Sequence, residues 1–320
     1  MIDWDKLTGG STSAQLPPQA VSALDNHIKR AYPAIRNLVL IHKGELILSR
    51  AYDREITFVE KKLVRSVTKS VMSCLIGIAL DQGKIKSTDQ TLTQLLPQSK
   101  ACAAGSAAGQ LTLHEVLSMT GGMRWRSGRS GNEPMHARFM RSADWVESIL
   151  SNPIVARNRQ TFQYNTGLSH LLSAIISAST GMSAAQFAEQ TLFKALSIDD
   201  YEWPQDPQAN SYGGWGLEIS SIDMAKFGML YVDNGEFRGQ RVVSADWVSK
   251  STQAHTPGYG YHWWLHDFNG DSAFCAMGLG GQTIAVIPDN QVVMVLTSAM
   301  PGRNRDQIEL LRDHVYRLIY

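Results

Sequence analysis

Cysteine is scarce in this chain. Its 320 residues contain three, Cys74, Cys102 and Cys275. An odd, sparse set builds no disulfide framework and fits a reducing compartment. None stands in a Cys-x-x-Cys or Cys/His cluster, so no structural zinc is expected. Cys74 lies in an apolar run and reads as a core residue. An excess of charge is missing too. With a net charge of +1 and 18% charged residues, there is no electrostatic case for a nucleic-acid partner or an anionic membrane surface. The stretch Lys61-Lys62-Leu63-Val64-Arg65 reads as a solvated approach to a helix. No apolar run reaches the length needed to span a bilayer. Met1-Ile2-Asp3-Trp4-Asp5 carries no signal-peptide pattern. The expected location is cytoplasmic, without membrane contact. There is no internal repeat and no low-complexity segment. No Gly-x-Ser-x-Gly elbow occurs, because Gly167-Leu168-Ser169-His170 fails at its final position. His114-Glu115 opens no His-Glu-x-x-His site, because position 118 is Ser.

What is present is an ordinary globular composition, 43% hydrophobic, in a chain long enough for two lobes. Pro17-Pro18 opens a helix over about 19–31. Leu38-Val39-Leu40-Ile41 and Glu45-Leu46-Ile47-Leu48 flank His42-Lys43-Gly44 as a hairpin. Val67, Val71, Cys74, Leu75, Ile78 and Ala79 predict a buried helix from Ser66 to about Leu80, stopped by Gly83. Thr112 to Leu117 is a capping-box helix start. Residues 121–134 read as a Gly/Arg/Ser-rich loop. Helices are expected from Leu168 to Ser179, Ser183 to Leu196 and Ser221 to Asn234. Strands are expected over 261–266, 273–277, 282–287 and 292–298, and a last helix over 305–319. Strands therefore fall at both ends and helices in the middle. The implied fold class is mixed α/β (α+β), with an antiparallel sheet flanked by helices and built from both chain ends. Residues 1–84 and 205–320 would form this sheet domain, 85–204 an inserted all-helical domain, with the site between them.

Ser66-Val67-Thr68-Lys69 places a hydroxyl and an amine one helical turn apart on one face. The helix start adds N–H groups and a positive dipole end that favour negative charge there. Tyr164-Asn165-Thr166-Gly167 precedes a buried helix. A phenol beside an ammonium can move a proton between a serine and a leaving group. Gly278-Leu279-Gly280-Gly281-Gln282 enters a strand, and its glycines allow close approach of a substrate to the backbone. The N–H groups of Gln282 and Ser66 would then form a two-donor oxyanion hole. Taken singly, the tyrosine is also explained by packing and the glycines by a turn.

In order and spacing these three motifs resemble the serine β-lactamase and penicillin-binding-protein superfamily. The likeness is greatest to its class C β-lactamase-like branch, with esterases, D-amino-peptide hydrolases and 6-aminohexanoate-dimer hydrolases, and it runs from about residue 35 onward. Supporting stretches are 111–122, 216–228 and Tyr259-Gly260-Tyr261-His262-Trp263-Trp264. The resemblance implies Ser66 as acylated nucleophile, Lys69 as its activator and Tyr164 as proton-transfer residue. It puts Asn165, Thr166, Leu279, Gly280 and Gly281 at the substrate and requires no cofactor. Two departures stand out. Leu279 opens the third motif where a basic residue is usual, and Thr166 stands where an amide side chain is usual. Both argue against a penicillin-type substrate, since a missing cation forfeits a charge-assisted hydrogen bond of roughly 1.5–3 kcal/mol. The expected activity is acyl transfer to water from a small ester or amide. A non-catalytic ligand-binding domain, or a true β-lactamase or peptidase, are the alternatives. Trp215 and Tyr259, with Trp125, Tyr261 and Trp264, are candidates to line an apolar cleft, although core packing also accounts for each. Arg124, Arg126 and Arg129 are candidates to bind a substrate carboxylate, and they also read as solvated loop charges.

Overall fold

A computed structural model of the protein describes residues 2, 4, 10–53, 57–126, 134–299 and 306–319. Helix α1 (Pro18–Ala31) leads into the hairpin β1 (Ile35–His42) and β2 (Glu45–Ala51). Near the other end come β3 (Trp264–Phe268), β4 (Asp271–Gly278), β5 (Gln282–Ile287) and β6 (Val292–Ser298). They join in one antiparallel sheet of six strands, in the order β2-β1-β6-β5-β4-β3. The two chain ends meet where β1 pairs with β6, with His42 opposite Val292.

The central strands are mainly apolar because both faces are covered. Val39, Ile41, Ile284, Val286, Val293 and Val295 join one core cluster, while Leu38, Leu40, Ala285, Ile287, Met294 and Leu296 join another. Alternation along a strand sends neighbours to opposite faces. The second face is closed by Leu24 and Ile28 of α1 and by Leu310 and Val315 of the C-terminal helical segment. That segment starts at Gln307, widens to a π-helical turn over Leu311–Val315 and ends as a 3₁₀ turn at Leu318.

The first face carries α2 (Val67–Asp81) and α4 (Ser221–Val232), and α3 (Thr166–Thr180) packs against α2. Helix α2 is buried at every residue from Val67 to Ala79, which explains why its apolar content spreads beyond a single stripe. Asn165 caps α3, and Ser220 with Asp223 forms a capping box on α4. The region between β2 and β3 is otherwise mainly helical, with the short pair Gly121–Met123 and Ile154–Arg159.

Three element expectations need correction. The strand expected at 261–266 begins at Trp264, because the preceding residues are held in turns. Tyr261 N–H donates to the Ser251 carbonyl over 2.8 Å, and His262 has a φ of +64°. Residues 121–123 form a strand rather than the start of a loop. A helix over Ala245–Thr252, capped by Ser244, was not anticipated. Arg129 lies outside the described residues. Among the described residues, no single helix is long and apolar enough to cross a membrane.

Candidate active site

Ser66 occupies the cap position at the start of α2. The preceding residue, Arg65, is held at a φ of +54°, uncommon for a side-chain-bearing residue. Its carbonyl accepts from Thr68 N–H at 3.1 Å and from Thr68 Oγ1 at 2.6 Å, which fixes this turn. Lys69 follows one helical turn later and is 2% exposed. Its Nζ lies 3.1 Å from Ser66 Oγ, 3.3 Å from Thr166 Oγ1 and 2.6 Å from the Gly214 carbonyl oxygen. It also lies 5.0 Å from the centroid of the Tyr164 ring, within cation–π range. The Tyr164 ring stacks on Trp264 with centroids 5.6 Å apart. Three separate stretches of sequence thus meet at one amine.

Glycine is required where the 213–214 segment passes this amine. A Cβ on Gly213 would stand 2.3 Å from the Ser169 carbonyl oxygen. One on Gly214 would stand 2.6 Å from Thr166 Cγ2 and 3.2 Å from Lys69 Nζ. The segment is fixed from behind by a pair with no solvent exposure. His170 Nε2 lies 2.9 Å from Asp206 Oδ2, and Gly213 N–H donates to His170 Nδ1 over 3.3 Å. Burial opposes charge on Asp206, but hydrogen bonds from His170 and Asn210 outweigh it and hold the carboxyl below its ordinary value.

Ser66, Tyr164, Thr166 and Gly214 open onto a cavity of about 920 Å³. Its apolar wall includes Trp215, Trp264, Met140, Met277, Leu279 and Ile308, while Arg65, Arg312, Asp306 and His266 supply polar groups. Its size and mixed lining suit a small organic molecule. His136 forms part of the same wall, edge-on to Trp215 at 4.1 Å. Burial, reinforced by the positive charge of Lys69, pushes its pKa down to about 4. The same two causes push the fully enclosed His262 down to about 3. Both imidazoles are neutral at pH 7, so neither adds to the charge of the amine.

The sequence-derived candidates separate into two groups. Ser66, Lys69, Tyr164 and Thr166 come together, and Trp215, Trp264 and Leu279 share their cavity. Others do not reach it. Asn165 is 1% exposed, and its Oδ1 accepts from Leu168 N–H at 3.1 Å, so its side chain is committed to capping α3. Tyr259 is buried behind Trp264, 4.8 Å from it, and Tyr261 bonds His114 Nδ1 through its hydroxyl at 2.6 Å. Trp125 is a core residue against Phe139. Arg124 and Arg126 are exposed and stand outside the cavity lining.

The third motif is displaced by several residues from its expected position. β4 runs on to Gly278, where a Cβ would lie 2.3 Å from the Val64 carbonyl oxygen and 3.1 Å from Arg65 Cβ. It is therefore the start of the 279–281 turn that passes Ser66. Gln282 stands opposite Gly278 in the ladder, buried, with Nε2 donating to the Ser298 carbonyl at 2.7 Å. Gln282, Gly280 and Gly281 are not part of the cavity lining; Met277, Gly278 and Leu279 are. The residues missed from sequence are Gly214, the His170–Asp206 pair and His136. The Gly213-Gly214 doublet was the available signal for the first of these. Among the described residues, no group of three or more His, Cys, Asp or Glu side chains is arranged to hold a metal ion.

A family model described as Beta-lactamase matches residues 34–315. The chain belongs to the beta-lactamase family. The 6-aminohexanoate-dimer hydrolase of Paenarthrobacter ureafaciens is 24% identical over 288 residues, covering 82% of this chain and 72% of that protein. Among solved structures, a class C beta-lactamase from Rhodobacter sphaeroides superposes with a TM-score of 0.68 at 17% identity, covering 95% of this chain and 99% of the other. EstCE1, described as a hydrolase with promiscuous acyltransferase activity, gives a TM-score of 0.73 at 15% identity, covering 93% and 98%. At such identities these structures establish the shared fold. The mixed α/β architecture with an antiparallel sheet, expected from sequence, is the family's fold.

Proposed function

We propose that the protein is a serine hydrolase that cleaves an ester or amide bond of a small molecule through an acyl-enzyme on Ser66. The observation that carries this reading is the contact of Ser66 Oγ with the buried Lys69 amine, 3.1 Å away, at the wall of an apolar cavity. In the neutral state the amine directs its lone pair at the serine proton and gives its two N–H groups to Thr166 Oγ1 and the Gly214 carbonyl. In the charged state each of the same three oxygens can accept an ammonium proton.

In the proposed reaction, Ser66 Oγ attacks the substrate carbonyl carbon. Its proton passes to the Lys69–Tyr164 unit and then to the departing alcohol or amine as the carbonyl–leaving-group bond breaks. Water repeats the sequence on the acyl-enzyme and restores the serine. The backbone N–H groups of Ser66 and Leu279 replace the Ser66–Gln282 pair expected from sequence as the oxyanion donors, because Leu279 is the turn residue that lines the cavity beside Ser66. Thr166 occupies the place of the usual amide side chain and serves the lysine. The named hydrolase relative supports linear amides as substrates, and the aromatic wall supports an apolar chain on either side of the scissile bond.

The test is mass spectrometry after treatment with a fluorophosphonate and with a β-lactam, beside hydrolysis of p-nitrophenyl acetate. An adduct on Ser66, and loss of turnover in Ser66→Ala, are expected. Equal turnover in the Ser66→Ala protein rejects the mechanism. Failure of every acylating probe favours a ligand-binding domain instead.

A further inference from the structure

We propose that the buried His170–Asp206 pair positions the Lys69 amine, by holding the Gly213–Gly214 backbone so that the Gly214 carbonyl faces it. The inference rests on the acyl-transfer reading above. Neither side chain lines the cavity, so both are positioning residues rather than catalytic ones.

Asp206 accepts four hydrogen bonds. Gln208 N–H and Asn210 N–H reach Oδ1 at 2.8 Å each, and Asn210 Nδ2 and His170 Nε2 reach Oδ2 at 3.1 and 2.9 Å. A carboxylate surrounded by donors is ionised and can only accept, so the proton between it and His170 belongs to Nε2. His170 Nδ1 receives Gly213 N–H and must therefore be bare. Asp206 thus selects one neutral tautomer of the imidazole, and that tautomer accepts from the backbone. One residue further on, the Gly214 carbonyl is 2.6 Å from Lys69 Nζ, the shortest of the three polar contacts of that amine described above. The 213–214 segment has no side chains of its own to anchor it. What fixes it is His170 on one side and the close fit against Ser169 and Thr166 on the other. Phe139 and Trp145 rings, 6.0 and 5.2 Å away, hold the imidazole in place.

The pair has a measurable consequence. A carbonyl accepting from an ammonium favours the charged amine, so loosening that contact lets the amine lose its proton more readily. Among the described residues, titratable groups facing Lys69 include Tyr164, His136 and His262, and the two imidazoles are neutral through the relevant pH range.

Two variants separate positioning from mere packing. In His170→Asn the carboxamide oxygen falls where Nδ1 stood and can still accept from Gly213, while the contact with Asp206 is lost. In His170→Gln the amide reaches Asp206 but leaves Gly213 without its acceptor. Asparagine, being smaller, leaves the larger void and the lower melting temperature. kcat/KM for p-nitrophenyl acetate would be measured from about pH 5 to 10, together with thermal unfolding. We expect His170→Asn to keep the ascending limb of the wild-type profile, with activity within about threefold. We expect His170→Gln to fall at least about tenfold, with that limb moved to lower pH. Limbs that stay in place in both variants, or activities that follow melting temperature, overturn the proposal. If His170→Gln does not fold, Asp206→Asn serves instead. Its amide N–H would push the imidazole proton to Nδ1, against Gly213 N–H, and should move the limb the same way; an unmoved limb overturns the proposal. Turnover that survives Ser66→Ala in the same assay rejects the underlying hydrolase reading independently of these limbs.

Discussion

Lowering the pH from 7 to 5 should destabilise this protein through His262 in particular. The side chain is 2% exposed, sits beside the lysine of the candidate site, and its backbone carbonyl accepts from Ser70 Oγ at 2.7 Å. In the unfolded chain an imidazole titrates near 6.5, whereas here burial and then the Lys69 charge lower it to about 3. Between these values the unfolded state takes up a proton that the folded state refuses. The stability associated with the neutral ring is therefore complete above pH 6.5 and declines as pH falls toward 3. Each pH unit below 6.5 is worth about 1.4 kcal/mol, so the loss at pH 5 is about 2 kcal/mol. The control is His262→Asn, since asparagine tolerates the left-handed backbone at this position. Urea unfolding of both proteins at pH 7 and pH 5 gives four stabilities. The substitution costs stability at pH 7, but the gap between the proteins should narrow by about 2 kcal/mol at pH 5. A gap of the same size at both pH values would mean that residue 262 binds protons equally in both states, and the reasoning would fail.

Four further outcomes are expected. Thr166→Val removes one acceptor from the lysine without changing the volume of the side chain; kcat should drop about tenfold with KM and melting temperature nearly unchanged, and a KM effect alone would place Thr166 on the substrate instead. Asn165→Ala should lower stability by about 1 kcal/mol through the lost helix cap, with KM unaltered, which steady-state kinetics beside thermal melts can check. Tyr164→Phe should be inactive yet melt like the parent; collapse of its melting temperature would make the tyrosine structural. Trp215→Ala should raise KM for p-nitrophenyl esters of longer chains much more than for the acetate, and an even increase along the series would show that the indole does not hold the acyl chain.

The fold was legible where periodicity and capping agree. The apolar stripe from Val67 to Ala79, the β-rich runs flanking Lys43-Gly44 and the strands over 282–287 and 292–298 all matched, because each is a local pattern with a core face. The Ser66–Lys69 pair was legible because its geometry is that of a single helical turn. What escaped depends on contacts remote in sequence. Nothing local distinguishes Tyr259, packed behind Trp264, from Trp215, which faces the cavity. The strand ending at Gly278 was anticipated to within one residue, but the end of the turn that faces the serine was not, because residues 279–281 look equally suited to either end of the hairpin. Only the close packing of Gly278 on Val64 and Arg65 decides which end meets the serine. Asn165 was assigned to substrate by position in a motif, whereas a cap three residues before Leu168 N–H was the local physical reading.

The pairing of β1 with β6 governs how the molecule is made. His42 and Val292 are about 250 residues apart, and joining them costs about 5 kcal/mol of loop entropy before any contact forms. On a ribosome the first hairpin emerges and then waits, its edge unpaired, until β6 follows about 250 residues later. Ser66 and Lys69 likewise precede the strand ending at Gly278, by about 200 residues. A nascent chain halted before that strand emerges should therefore fail to react with a fluorophosphonate even with its serine already exposed.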